Sequence, residues 1–186
     1  MTLTYIIIAV LVVLIIAIIL AYNSLVKYNV RTDEAWSDIT VQLKRRADLI
    51  PNLVSAVQGY AKHEKTVFED VTKARTAVMS AKSPGETAKA DNMLSSAMKS
   101  LFAVAENYPK LRASENFKQL QADITDTENK VQASREIYNS NVKDFNTKRK
   151  IFPTNIIAGI LGFKKDREFF SIDNTEKLQK PVKVKL

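Results

Sequence analysis

Residues Lys44 to Val54 read KRRADLIPNLV, and the number of helices in the chain turns on how this stretch is taken. Proline has no N–H to donate, so it either opens a helix, where a first-turn N–H lacks a partner anyway, or interrupts one. Lys44, Arg45 and Arg46 precede it and suit a helix C-terminus, where the free carbonyls carry partial negative charge. Asp48 then serves as an N-cap acceptor, and Pro51 falls in the first turn that follows. On that reading one helix ends near Arg46 and the next begins at Asp48. The competing reading keeps one continuous helix from Tyr22 to Ala81, kinked at Pro51.

Upstream, Leu25, Tyr28, Thr32, Ala35, Trp36, Ile39 and Leu43 recur at steps of three and four, the period of one buried helix face. No Lys, Arg, Asp or Glu occurs before Lys27, and Leu3 to Ala21 is, apart from Thr4 and Tyr5, a run of Ile, Val, Leu and Ala. About 19 residues at ~1.5 Å each span about 29 Å, against ~30 Å for the hydrocarbon core of a bilayer. A cleaved secretory signal would carry a basic leading region and a small-x-small site, and this stretch has neither. The expectation is an uncleaved transmembrane anchor over residues 1–22. Lys27 and Arg31 follow the span, so the positive-inside rule places the N-terminus outside and the rest of the chain in the cytoplasm. Ala17 and Ala21 make a small-xxx-small pair, a weak signal for helix association.

Downstream, Ile50, Leu53, Val54, Val57, Ala61, Phe68, Val71, Ala74 and Val78 read as one stripe ending near Ala81. Ser83-Pro84-Gly85 is a turn, and Ala90, Leu94, Ala97, Leu101 and Val104 carry a third helix to about Asn107. Tyr108-Pro109 closes it. A fourth helix runs from around Ala113 through Phe117, Leu120, Ile124, Val131, Tyr138, Val142 and Phe145 towards Lys150. One stripe per helix and short connections are what an antiparallel bundle requires. The expected fold is therefore all-α: a transmembrane helix, then an antiparallel up-and-down four-helix bundle of long helices over 23–150, then an apolar and basic segment over 151–186. One tension stands in this layout, because the second helix comes out longer than the part of the first that lies outside the membrane.

Composition narrows the chemistry. The 186 residues hold no cysteine and a single histidine, with 28 Lys and Arg against 20 Asp and Glu, which removes disulfides, thiol nucleophiles and cysteine metal sites. His63-Glu64 invites the zinc-protease template, but position 67 is Val67 where a second histidine would stand. A di-metal carboxylate bundle needs two Glu-x-x-His motifs, and one histidine does not supply them. Glu64 falls on the stripe between Tyr60 and Phe68, and Glu128 and Arg135 interrupt the stripe of the fourth helix. Buried charges need partners, so Glu64, Glu128 and Arg135 are expected to form an interior polar network that fixes helix register. No catalytic residue, metal or cofactor site is expected. From Lys143 to Leu186 there are 11 Lys or Arg and 5 Asp or Glu, so the positive excess is local to the C-terminal quarter. In an anchored chain it points to anionic lipid rather than nucleic acid.

The segment Phe152 to Phe163 reads FPTNIIAGILGF, too short to span a bilayer. An even number of helices after the anchor returns residue 150 to the membrane side. Ile156, Ile157, Ile160, Leu161 and Phe163 are then expected to meet the headgroup boundary while Lys164, Lys165 and Arg167 face anionic lipid. The alternative is that these side chains fold back over the open end of the bundle.

Several stretches are unusual enough to carry a family resemblance: YNSLV (22–26), Ala35-Trp36, KRRADLIPNLV (44–54), GYAKHE (59–64), VTKAR (71–75), VAENYP (104–109), YNSNVKDFN (138–146) and FPTNIIAGILGF (152–163). Together they cover essentially the whole chain, which resembles the LemA proteins of bacteria. The resemblance implies an N-terminally anchored bacterial membrane protein with an antiparallel four-helix bundle and no established enzymatic activity. The expected location is the bacterial inner membrane. The expected role is a non-enzymatic single-pass scaffold whose bundle self-associates as a homo-oligomer or holds an unidentified protein partner, organising or shaping the bilayer. The alternative role is a membrane-tethered signalling or regulatory adaptor for one partner protein.

Overall fold

Pro51 lies inside a helix rather than at the start of one. In the computed structural model, which describes residues 1–171, α1 runs without interruption over Thr2–Gln58. It is followed by α2 (Lys65–Ser80), α3 (Pro84–Glu106), the short α4 (Pro109–Ala113), α5 (Glu115–Lys150) and α6 (Thr154–Ile160). Every regular element among the described residues is a helix. The basic tail 172–186, part of the expected membrane-facing segment, lies outside the described residues.

Both readings of Pro51 need correction. Proline in a helix interior costs about 3 kcal/mol, partly because the carbonyl four residues back loses its donor. Here that carbonyl belongs to Ala47, and Arg75 Nε of α2 donates to it at 2.8 Å. The helix therefore continues through Pro51 with its freed acceptor bonded. The true break comes at Gly59–Glu64, where the N–H groups of Tyr60 and Ala61 both turn back onto the Val57 carbonyl at 3.0 and 2.9 Å. Ala61 is buried and holds this reversal in place. What reads in sequence as one second helix is thus the end of α1, a reversal and α2.

The shift also removes the tension in helix lengths. α2 and α3 have 16 and 23 residues, and α5 has 36, so the long second helix does not exist. The turn at Ser83-Pro84-Gly85 opens α3: Ser83 Oγ accepts from Glu86 N, Pro84 occupies the first turn, and the Glu86 carboxylate accepts from Lys82 N at 3.0 Å. This reciprocal cap satisfies N–H groups that a helix start otherwise leaves free.

The chain divides into two compact units. One comprises Met1–Ser37 and Glu136–Glu168. The apolar part of α1 here is long and apolar enough to cross a membrane, and none of it is buried against protein. Beyond it α1 runs antiparallel to the end of α5: Trp36 stacks on Tyr138 with ring centroids 5.5 Å apart, and Asn141 Nδ2 donates to the Arg31 carbonyl at 3.1 Å. Leu25, Phe145 and Ala158 make the core, with Tyr28 and Phe163 packed against it.

The other unit comprises Asp38–Arg135 and the chain from Phe169. Ile39, Leu43, Ile50, Leu53 and Val57 of α1 are buried there, as are Phe68, Val71, Ala74 and Val78 of α2. α3 contributes Leu94, Met98 and Leu101, and α5 contributes Phe117, Ile124 and Val131. The sets repeat at three, four or seven residues, so the 3.6-residue period read from sequence is the period of burial.

Candidate functional site

The deepest charged side chain among the described residues of the second unit is Arg46, 1% exposed. It lies between Leu43 and Ile50 on the α1 stripe, three and four residues away, so once the helix passes through Pro51 this cation faces inward. Its Nη1 donates to Asp91 Oδ1 of α3 at 2.8 Å and its Nη2 to Ser95 Oγ at 3.1 Å. Nη2 also lies 3.4 Å from Glu128 Oε2 of α5. One guanidinium therefore ties three helices together through a planar fork of donors. The Nε–H of Arg46 and the Oε1 of Gln42, one turn earlier on α1, are buried without hydrogen-bond partners, a complementary donor and acceptor on one helix face.

Burial pushes the Asp91 carboxyl above its ordinary value of 3.8, while the charge and hydrogen bonds of Arg46 pull it down. The guanidinium offsets part of the cost of burying this carboxylate. A cleft of about 250 Å³ opens beside the pair, and its walls include Lys99, Gln132 and Arg135. Its two carboxylates, Asp91 and Glu128, are both engaged by Arg46, and the Ser95 hydroxyl accepts from the same guanidinium. The arrangement holds charges in register.

Of the three residues expected in an interior network, two are brought to this cleft and one is not. Glu128 reaches Arg46 from the surface, its side chain 51% exposed, because Thr127 takes the buried position between Ile124 and Val131. Arg135 is half-buried and acts on Asp91 through its charge. Glu64 sits at the N-cap position of α2, half-buried, with no capping hydrogen bond from its side chain. The break at Gly59–Glu64 resets the helical register, so a position that continues the stripe on paper lies at a helix start. Arg46 and Asp91 went unrecognised in the sequence, although the three-and-four spacing through Arg46 was there to find.

The C-terminal segment forms a second cluster, within the first unit. Phe163 packs between Tyr22 and Phe145, with ring centroids 6.3 and 6.1 Å away. α6 buries Thr154 and Ala158, leaves Ile157 half-buried, and exposes Ile156, Ile160 and Leu161. The following residues are strapped down. Asn146 exchanges two hydrogen bonds with the backbone of Arg167, at 2.8 and 3.0 Å. The Arg167 guanidinium bonds Asn29 and Asp33, each at 2.7 Å, and Tyr138 Oη donates to the Glu168 carbonyl at 2.8 Å. Asp166 is paired with Arg149 and with Lys150, whose hydrogen bonds hold its carboxyl below the ordinary range. Burial pushes the Tyr138 hydroxyl up to about 12. Among the residues expected at a membrane surface, Phe163 is thus core and Arg167 is committed to α1, while Ile156, Ile160, Leu161, Lys164 and Lys165 face outward.

A family model for the LemA family matches residues 35–186. The chain belongs to the LemA family. Two relatives, the magnetosome proteins MamQ 1 and MamQ 2 of Paramagnetospirillum magneticum strain AMB-1, are each 24% identical to it over 178 residues, 82% of this chain and 65% of theirs. The magnetosome protein MamQ of Magnetospirillum gryphiswaldense strain MSR-1 is 23% identical over 185 residues, 86% of this chain and 68% of the relative. This LemA-family chain spans just under two thirds of the length of the two P. magneticum relatives. Family, relatives and the bare apolar helix together mark a membrane-associated protein.

Proposed function

We propose that this LemA-family chain is a non-enzymatic, single-pass membrane scaffold. α1, α2, α3 and α5 form an antiparallel up-and-down four-helix bundle that self-associates or holds a partner at the bilayer. The observation that carries this reading is that the apolar stretch and the packed stripe belong to one helix, Thr2–Gln58, with no linker between them. A domain continuous with its anchor is held at the membrane rather than tethered near it, which suits a structural element. The polar cluster around Arg46 fits the same role, because buried charges that fix register are a known device of helical bundles. The N-terminus lies outside a bacterial inner membrane and the bundle is cytoplasmic, following Lys27 and Arg31.

The full chain, purified in mild detergent, tests this by light-scattering mass. A defined or large self-assembly is the expected result. A monomer that elutes with one stoichiometric protein partner supports instead a regulatory adaptor, the reading favoured by the open groove along α2 and α3 where Met93 is exposed. A monomer without any partner overturns both. For topology, an alkaline phosphatase fused after Leu186 is expected to be inactive, and an active fusion would reverse the orientation.

A further inference from the structure

α6 is a short helix with one face bonded into the fold and the other left bare. Ala158 is buried against Leu25 and Phe145, yet Ile160, two residues on, is 76% exposed, and Phe152, just before the helix, is 79% exposed. Ile156 and Ile160 are spaced four apart, so they share one side of α6, and Phe152 just before the helix and Leu161 just after it are exposed as well. Within this unit that side is not a free-floating patch. Phe163, three residues beyond Ile160, lies 6.3 Å from the ring of Tyr22, and Tyr22 follows directly on the apolar run Leu3 to Ala21 of α1. The segment that carries the bare face is thus joined through Phe163 to the point where α1 leaves its apolar stretch, and the exposed side chains of Lys164 and Lys165 follow it directly in the chain.

We propose that α6 is an interfacial membrane contact: Phe152, Ile156, Ile160 and Leu161 enter the headgroup–acyl boundary of the leaflet from which α1 emerges, and the flanking lysines meet anionic headgroups. The occupant is a lipid surface and not a protein because Phe163 seats the segment against Tyr22, where the apolar stretch ends, and exposed Lys164 and Lys165 follow the apolar residues, the pattern of an interfacial helix. The strap from Lys164 to Glu168 keeps the lipid face presented, since Asn146, Asn29 and Asp33 hold Arg167 and leave α6 no slack to roll. Ile157 and Phe163 are not lipid residues in this arrangement. They are inner packing. The inference rests on the anchor reading of α1.

The chain has no cysteine, so a single introduced cysteine carries a nitroxide to one known place. Full-length Ile160→Cys and Ile156→Cys are labelled and reconstituted into phosphatidylcholine–phosphatidylglycerol vesicles, with Leu11→Cys as a spanning reference and Lys110→Cys as a water-exposed one. Electron paramagnetic resonance then compares collision with oxygen, which concentrates in lipid, against a water-soluble nickel complex. The expected result is an oxygen-to-nickel ratio at 156 and 160 several-fold above that at 110 and below that at 11. Nickel access at 156 and 160 equal to that at 110 overturns the lipid contact while leaving the anchor intact. Labels shielded from both reagents overturn it too, because protein would then cover the face. If the label at position 11 is itself nickel-accessible, the anchor reading fails, and the inference with it.

Discussion

Removing the Arg75 guanidinium leaves the Ala47 carbonyl with neither a helical donor nor a side chain to bond it, because Pro51 supplies no N–H. Leaving a buried acceptor unpaired costs about 1–3 kcal/mol, so Arg75→Met is expected to destabilise the full chain by that amount in urea unfolding. Pro51→Ala restores the missing N–H, and the same Arg75→Met change in that background is expected to cost markedly less. Additive effects of the two substitutions would show that Arg75 is not what lets the helix pass Pro51. A second cycle tests the buried pair. Arg46→Met strands Asp91 in the interior and is expected to cost about 3–5 kcal/mol, whereas Arg46→Met with Asp91→Leu recovers much of the loss. Glu64→Gln, at a half-buried helix start, is expected to change stability by no more than about 0.5 kcal/mol. These residues also show how far sequence reaches. Stripe positions such as Leu43, Leu94 and Ile124 were legible because burial follows a local period. Pro51 was not, because the donor that rescues it lies on another helix, and local rules carry no information about such a partner. Arg46 was hidden by the same error: a basic run before a supposed helix end looks like dipole compensation until the helix is seen to continue.

At the level of elements, the reversal at Gly59–Glu64 and the strap after α6 do most to depart from a plain run of helices. The start of α3 was readable from Ser83, Pro84 and Glu86, whose roles are set by neighbours within four residues. The strap was not, since nothing in the residues from Lys164 to Glu168 announces that Asn146 will pair with their backbone. Its attachment has a pH signature. The Lys150 and Arg149 hydrogen bonds lower the Asp166 carboxyl from its ordinary 3.8. A depressed folded value means that the pairing contributes fully above the unfolded value and is lost as pH falls through the lowered one. A nitroxide on Lys165→Cys is therefore expected to stay restrained at neutral pH and to gain mobility as pH drops below 3.8. Adding Asp166→Asn should give the mobile spectrum already at neutral pH. A spectrum indifferent to that substitution would mean that the Asn146 and Arg167 bonds hold the strap without help from the carboxylate.

For the molecule as a whole, membership of the LemA family and the bare apolar helix establish a membrane-associated chain, and the proposed scaffold role makes assembly its measurable property. If the small-residue pair of exposed Ala17 and half-buried Ala21 takes part in assembly, replacing both by Leu is expected to lower the detergent-solubilised mass without changing helix content by circular dichroism. An unchanged mass would locate self-association outside the spanning stretch. The closeness of Phe163 to Tyr22 has a further consequence. Once α1 is inserted, α6 no longer searches for lipid from bulk solution: it samples the surface at an effective concentration fixed by geometry, in the manner of the second arm of a bivalent ligand. On the proposed contact, an interfacial helix too weak to hold a free protein on vesicles would then be engaged most of the time, dilution would not release it, and the make-up of the leaflet would set how often it lets go.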